Sequence, residues 1–341
     1  MNIGGNMKEY LDEYEIDLEN DKYKKVNAWK NAIGLQKVDN LTPSSYLYEI
    51  AKKNIEDELS FKEANELLHS YYVNKPDSFN REEEADKVSL RIAELISNNS
   101  FSFSILEFIN IHKTLFEGIY DHAGKIREYN ISKKEWVLDG KSVSYGNSNN
   151  LKELLEYDFN NEKNFKYKGL SNEEFVKHIS KFISALWQIH PFSEGNTRTT
   201  AVFLIKYLNK MGFNIGNDLF SENSWYFRNA LVRANYSNFL LGVEETTIYL
   251  EKFVENLLFN KNNKLSNREL HINFANTSNK LSKKEKEILN ILKEKPNITL
   301  EQCSIEIKKS LRTTKTIVKN LIDNNYVERC GAKKNGYWKV K

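Results

Sequence analysis

The chain has 341 residues, of which 28% are charged, 40% hydrophobic and 12% aromatic, with a formal net charge of +3. That length exceeds a typical single domain and the aromatic content excludes a disordered chain, so two or three folded domains are expected. No run of eighteen apolar residues occurs, the acidic start lacks a signal-peptide pattern, and Cys303 and Cys330 fit neither a disulfide framework nor zinc spacing, so a soluble cytoplasmic protein is expected.

The near balance of charge is a sum of unlike parts. Residues 1–75 carry ten Lys and Arg against fourteen Asp and Glu, whereas residues 282–341 carry fifteen against seven, and the middle is close to neutral. Proline is scarce and marks helix boundaries at Pro43, Pro76 and Pro296. These features divide the chain into 1–78, 79–262, a polar linker 263–280 and a basic tail 281–341.

In chain order, Thr42-Pro43 reads as a helix start in an acidic, helical N-terminal segment. Trp136 to Tyr145 reads as two short strands about the turn Asp139-Gly140. Ser171-Asn172-Glu173-Glu174 is a capping box, and Phe175, Val176, Ile179, Phe182, Ile183, Leu186 and Trp187 then recur at helical spacing. A second helix is expected from Thr199 to Gly212, and a further one carries Arg228 and Arg233. The linker is polar apart from a short strand expected at Leu270 to Phe274. The tail reads as helices capped by Ser282 and Thr299, a third from Arg312 to Asn324, and a two-stranded wing around the turn Gly331 to Gly336.

Chemistry concentrates in the loop His190-Pro191-Phe192-Ser193-Glu194-Gly195-Asn196-Thr197-Arg198, which opens a helix. Amides at a helix N-terminus and the helix dipole favour anions, so such a loop can cradle phosphates. Gly195 allows close backbone approach, Asn196 can bind phosphate or pin the loop, and Arg198 can grip an anion with two N–H groups. Glu194 is a hard oxygen ligand suited to Mg2+, and a neutral His190 can accept a proton from an attacking hydroxyl. Taken singly, the same residues also make an ordinary helix cap and turn.

Together they resemble the signature HPFx(D/E)GNxRxxR of the Fic family. His112 to Tyr120, Ala123 to Arg127 and Asn130-Ile131 are similar to the segment preceding the active site in that family. The resemblance implies a mainly α fold: a Fic-type helical bundle over 79–262 with a β-hairpin flap. It implies AMP transfer from ATP to a hydroxyl side chain of a target protein (AMPylation), with other donors (UMP, GMP or phosphate) as alternatives. By motif position His190 is the general base, Glu194 the Mg2+ ligand, Phe192 a buried anchor, and Gly195, Asn196, Thr197 and Arg198 phosphate binders. Trp136, Val137, Leu138 and Val143 fall where the family flap holds a target segment by strand addition. Two positions depart from the signature: Thr197 replaces a common Gly, and Ala201 replaces a second Arg that contacts the terminal phosphate and pairs with an inhibitory Glu.

Residues 1–78 resemble an antitoxin-like helical regulatory module. Asp39-Asn40 aligns with the end of the inhibitory pattern [S/T]xxxE[G/N], with Leu35 in place of Ser/Thr. With Ala201 present the usual inhibitory ion pair is not expected, so docking with weak or steric inhibition is. Residues 281–341 resemble a winged helix-turn-helix domain, in which Thr313, Thr314, Lys315 and Lys319 face DNA and Lys333 and Lys334 lie at the wing tip. A DNA-binding regulator with a weakened Fic domain is the reading from a different class. Expected partners are ATP, a target protein and DNA, with a homodimer open and no membrane.

Overall fold

The computed structural model describes residues 21–75, 81–238, 242–272, 281, 283–323, 326–331 and 336–340. It is mainly helical with one small antiparallel sheet, and the chain divides into two compact units: residues up to 235 with 246–271, and residues 236–245 with 272 onward.

The first unit begins with α1 (Asp21–Leu35), a 3-10 turn Gln36–Asp39, α2 (Ser45–Ile55), α3 (Phe61–Val73) and α4 (Glu82–Ser97). Side-chain caps set these starts: Ser44 accepts from the Leu47 amide, and Ser60 forms a capping box with Glu63. It continues with α5 (Ile105–Phe116), α6 (Leu151–Asn164), α7 (Asn172–Ile189), α8 (Asn196–Lys210), α9 (Leu219–Ala234), α10 (Ile248–Phe259) and the short α11 (Asn267–Leu270). Helix α7 starts at the capping box on Ser171, as its sequence predicts. Helix α8 starts three residues earlier than its apolar pattern suggests, because Gly195 is already its N-cap.

Helix α1 lies against α4 and α9 and buries Val26, Ala28, Trp29, Ala32 and Leu35. Its contact with α9 is close enough that a Cβ on Gly34 would sit 2.4 Å from the Ser221 Cα, and the Ser224 hydroxyl donates to the Gly34 carbonyl at 2.6 Å. Asn31 spans the same seam, donating to the Asn217 carbonyl at 2.9 Å and accepting from the Phe220 amide at 3.1 Å. The N-terminal helix is therefore docked on the later helices by backbone complementarity as well as by apolar burial. Beneath α5 to α8 lies an aromatic core in which Phe108, Phe159, Phe192 and Phe203 are buried, each worth about 1.5–3 kcal/mol of transfer free energy.

The expected hairpin at 136–145 is corrected in part. Asp139 and Gly140 do form a turn with positive φ (50° and 80°), and the Glu135 amide donates to the Lys141 carbonyl at 2.9 Å. Trp136–Leu138, however, is a 3-10 turn rather than a strand. Val137 and Leu138 are both buried, and two consecutive inward side chains are incompatible with the two-residue period of a strand. The linker also holds structure: α11 buries Leu270, where a strand was expected, and Phe274 lies outside the described residues.

The second unit contains α12 (Lys283–Glu294), α13 (Leu300–Glu306), α14 (Leu311–Asp323), β1 (Val327–Cys330) and β2 (Tyr337–Val340). The strands pair antiparallel with Val327 opposite Val340 and Cys330 opposite Tyr337. Thr299 caps α13 in a box with Gln302. Ile288, Leu292, Cys303, Ile317, Val318, Leu321 and Trp338 form the core, and the Trp338 indole donates to the Ile298 carbonyl at 3.0 Å. Ser282, Lys333 and Lys334 lie outside the described residues.

Candidate active site

The loop between α7 and α8 is held from several sides. His190 caps α7 in the left-handed region (φ 50°), its amide donating to the Trp187 carbonyl. Arg127 is buried and donates from Nε to the His190 carbonyl at 2.8 Å and from Nη2 to the Gly146 carbonyl at 2.6 Å, while its own amide donates to Pro191. One arginine thus fixes both the His190 loop and the segment that leads into α6. His112 does the same from α5: Nδ1 accepts from the Gly124 amide at 2.9 Å, so Nε2 carries the proton and donates to the Glu194 carbonyl at 3.0 Å. Burial pushes the His112 pKa down to about 3, and its ring stacks on Phe192 at 3.7 Å. Phe192 is fully buried, so it anchors the loop from below.

Glycine at 195 is required twice over. Its φ is +76°, and a Cβ there would meet the Phe116 ring at 2.3 Å. By the geometry of any helix the first amides of α8 have no intrahelical acceptor, which makes this terminus the anion-favouring end of the site.

His190 is buried, with Nδ1 3.1 Å from the Trp187 carbonyl. A carbonyl only accepts, so Nδ1 carries the proton and Nε2 the lone pair. Burial first, then Lys133, Arg228 and Arg127, hold its pKa well below the usual range, and the Trp187 carbonyl only partly offsets them. The imidazole is neutral at pH 7, as a general base must be.

Glu194 is 45% exposed, and its Oε2 lies 3.0 Å from Lys133 Nζ. Among the described residues no three His, Cys, Asp or Glu side chains assemble a ready-made metal centre. One accessible carboxylate beside a helix N-terminus nevertheless fits Mg2+, which is commonly held by one or two carboxylates plus substrate phosphates.

Two of the expected phosphate binders use their side chains otherwise. Asn196 donates to the Phe192 carbonyl at 2.7 Å and accepts from the Phe192 amide at 3.0 Å, so its amide group pins the loop. Thr197 is buried, and its hydroxyl accepts from the Trp187 indole at 3.0 Å. Both residues therefore present only backbone to a ligand.

Arg198 is completely buried. Nη2 is 2.7 Å from Glu84, Nη1 donates to Gln36 at 3.0 Å, Nε is 2.9 Å from Asp39, and Phe116 lies under the guanidinium at 4.8 Å. The usual pair with a second arginine is absent, as Ala201 dictates, but a different ion pair to the N-terminal segment forms, in which Asp39 reaches the first arginine of the signature. Asn40 makes the reach possible: at φ 56° it closes the 3-10 turn and aims the preceding carboxylate inward. Burial raises the Asp39 pKa, but Arg198, with Lys133, Arg228 and Arg81, overcomes it and holds the carboxyl below its usual value. Glu84 behaves likewise, its burial outweighed by Arg198, Tyr120 and Arg81. Ala201 is itself fully buried in α8.

The flap residues correct another expectation. Val137, Leu138 and Val143 are buried, so they are not available to a docked segment, whereas Trp136 is 46% exposed beside His271. Arg228 pairs with the buried Glu135 at 2.9 Å, and Arg233 lies over the Tyr249 ring. Sequence reasoning missed Gln36, Glu84, Lys133 and Glu135. Glu84 stands in the run Glu82-Glu83-Glu84 and Lys133 in the doublet Lys133-Lys134, both of which look like solvated surface.

In the tail, Thr313, Lys315 and Lys319 are exposed on α14, but Thr314 is fully buried with its hydroxyl bonded to the Ser310 carbonyl at 3.1 Å. It shares the helical face of Ile317, Val318 and Leu321, so it does not face DNA.

Residues 102–208 match the model of the Fic/DOC family, and residues 281–328 that of the winged helix-turn-helix DNA-binding domain. Over 155 residues the chain is 28% identical to the protein adenylyltransferase VbhT of Bartonella schoenbuchensis, covering 42% of this chain and 31% of that protein. Over 145 residues it is 26% identical to the probable protein adenylyltransferase y4lH of Sinorhizobium fredii, covering 42% of this chain and 70% of that protein. The matched region thus spans about a third of the first relative and more than two thirds of the second. Similar solved structures include the N-terminal FIC domain of Bep8 from Bartonella sp. 1-1C (TM-score 0.40, 22% identity, 54% of this chain and 87% of that one). Another is a Fic-domain signaling protein from Bacteroides thetaiotaomicron (TM-score 0.48, 13% identity, 83% and 100%). The chain carries a Fic/DOC-family domain over residues 102–208, followed by a winged helix-turn-helix domain over residues 281–328.

Proposed function

We propose that the chain is a protein nucleotidyltransferase that moves AMP from ATP to a hydroxyl side chain of a target protein. The observation that carries this reading is the buried, neutral His190, its Nε2 lone pair held by the Trp187 contact in the same loop as Glu194 and the α8 N-terminus. In the reaction the target hydroxyl attacks the α-phosphorus, its proton passes to His190 Nε2, and pyrophosphate leaves. The α8 amides receive charge developing on the phosphate oxygens, and Gly195 lets those oxygens approach the backbone. Mg2+, when bound at Glu194, would neutralise phosphate charge. Asp39 and Gln36 of the N-terminal segment, together with Glu84 of α4, restrain Arg198, so the N-terminal segment acts on the site by helping to hold its arginine. The winged-helix domain binds DNA through the exposed face of α14.

The test incubates wild type and His190→Ala with labelled ATP, CTP, GTP or UTP and candidate protein targets. Label transfer by wild type from ATP, abolished in the variant, supports the reading. Transfer from another nucleotide replaces the donor, and no transfer from any of them sinks it.

A further inference from the structure

The signature's second arginine is missing, and the position it would occupy, Ala201, is sealed in the core. The remaining cations of the site differ sharply in how they are committed. Arg198 is buried between Asp39, Glu84 and Gln36 with none of its surface exposed. Arg228 faces Glu135, a carboxylate that is itself fully buried and that also accepts from the Tyr145 hydroxyl at 3.0 Å. Removing Arg228 from Glu135 would strand a buried charge, so it is held in place.

Lys133 is different. Its side chain is 26% exposed, and its partner Glu194 is the half-exposed carboxylate that fits a metal. The charge of Lys133 is felt both at His190 and at Asp39, which places it among the base, the metal-ligand carboxylate and the N-terminal restraint. The Lys133 amide, 3.2 Å from the Ser142 hydroxyl, ties its backbone across the Asp139-Gly140 turn, while its long stem carries the ammonium to Glu194.

Resting on the nucleotidyltransferase reading, we infer that Lys133 is a phosphate contact of the nucleotide and supplies the cation that Ala201 does not. With a divalent ion held at Glu194, the Lys133 ammonium would be released from that carboxylate and would turn to the β- and γ-phosphate oxygens. A lysine suits this role because it is a compact charge on a flexible stem, able to serve Glu194 before binding and phosphate afterwards.

The experiment measures binding of ATP and of AMP, with Mg2+, to the full chain as wild type, Lys133→Ala and Lys133→Arg, with melting curves for each. Expected is a loss of ATP affinity of about tenfold or more in Lys133→Ala, with AMP affinity unchanged and partial recovery in Lys133→Arg. In transfer assays the same change should raise KM for ATP more than it lowers kcat. Equal ATP binding by wild type and Lys133→Ala overturns the inference while leaving the transferase reading intact. An equal loss for ATP and AMP also overturns it, since that marks a structural role. If wild type binds no nucleotide at all, the transferase reading fails and the inference with it.

Discussion

Arg198 and Asp39 lie 2.9 Å apart though far separated along the chain, and they link the 3-10 turn after α1 to the N-terminus of α8. On the nucleotidyltransferase proposal a guanidinium so engaged is withheld from phosphate, and that competition is how the N-terminal segment would inhibit transfer. Removing Asp39 leaves Glu84 and Gln36 in place, so release is partial. Asp39→Ala is expected to raise nucleotide transfer about tenfold, a coupling of roughly 1.4 kcal/mol, measured as initial rate of label incorporation. An unchanged rate in a variant with an unchanged melting temperature would mean that the pair is structural only.

The reverse substitution has the opposite effect. Arg198→Ala strands Asp39 and Glu84 in a site shaped around a cation, and breaking such a buried pair costs about 3–5 kcal/mol. Urea unfolding at pH 7 should show that loss. Adding Asp39→Ala and Glu84→Gln to the arginine variant should recover part of it, because the uncompensated charges are then gone.

Gly195 has no room for a methyl group. An Ala there takes a left-handed backbone, about 1–2 kcal/mol, and drives its Cβ into the buried Phe116 ring, about 1–3 kcal/mol more. A melting temperature lowered by several degrees, together with lost transfer activity, is the expected result. Gly140→Ala is the control, with a φ of +80° but open space around it, so it should show only the backbone part.

These positions also show what the sequence discloses and what it hides. The loop from His190 to Arg198 is legible because its chemistry is contiguous, and helices α7 and α13 because their capping boxes are local. The partners of Arg198 are not legible: Gln36, Asp39 and Glu84 lie 114 to 162 residues away from it along the chain, and only folding brings them together. The 136–138 turn misled because Val137 and Leu138 are strand-forming types, yet burial of both selects a 3-10 turn. Asn196 and Thr197 read as loop residues but open α8, and no local signal says that Phe192 and Trp187 claim their side chains.

Acid stability should carry the signature of His112. Its folded-state pKa, about 3, lies below the ordinary 6.5, so between those values the unfolded chain binds the extra proton. The contribution is fully present above pH 6.5 and is lost as pH falls through that window, at up to about 1.4 kcal/mol per pH unit. His190 adds in the same direction, while Asp158, pushed up to about 6 by burial, opposes both at the acid end. Substituting His112 by Gln leaves the other two in place and should flatten the dependence of unfolding free energy on pH between 6.5 and 4. A variant that keeps the wild-type slope would assign the effect elsewhere.

The winged-helix domain makes a prediction that separates DNA contact from core. Lys315 and Lys319 are exposed on one helix, whereas Thr314 on the same helix is fully buried. If both lysines meet phosphates, the slope of log affinity against log salt for duplex DNA falls by about 2 in the double alanine variant. Thr314→Val, which keeps the shape and gives up the hydroxyl bond to Ser310, should leave that slope unchanged while lowering stability. Full-length chain titrated with duplex of arbitrary sequence at several salt concentrations reads both effects. Equal slopes for wild type and the double lysine variant would move the DNA contact off α14, and no binding even at low salt would exclude DNA binding by this domain.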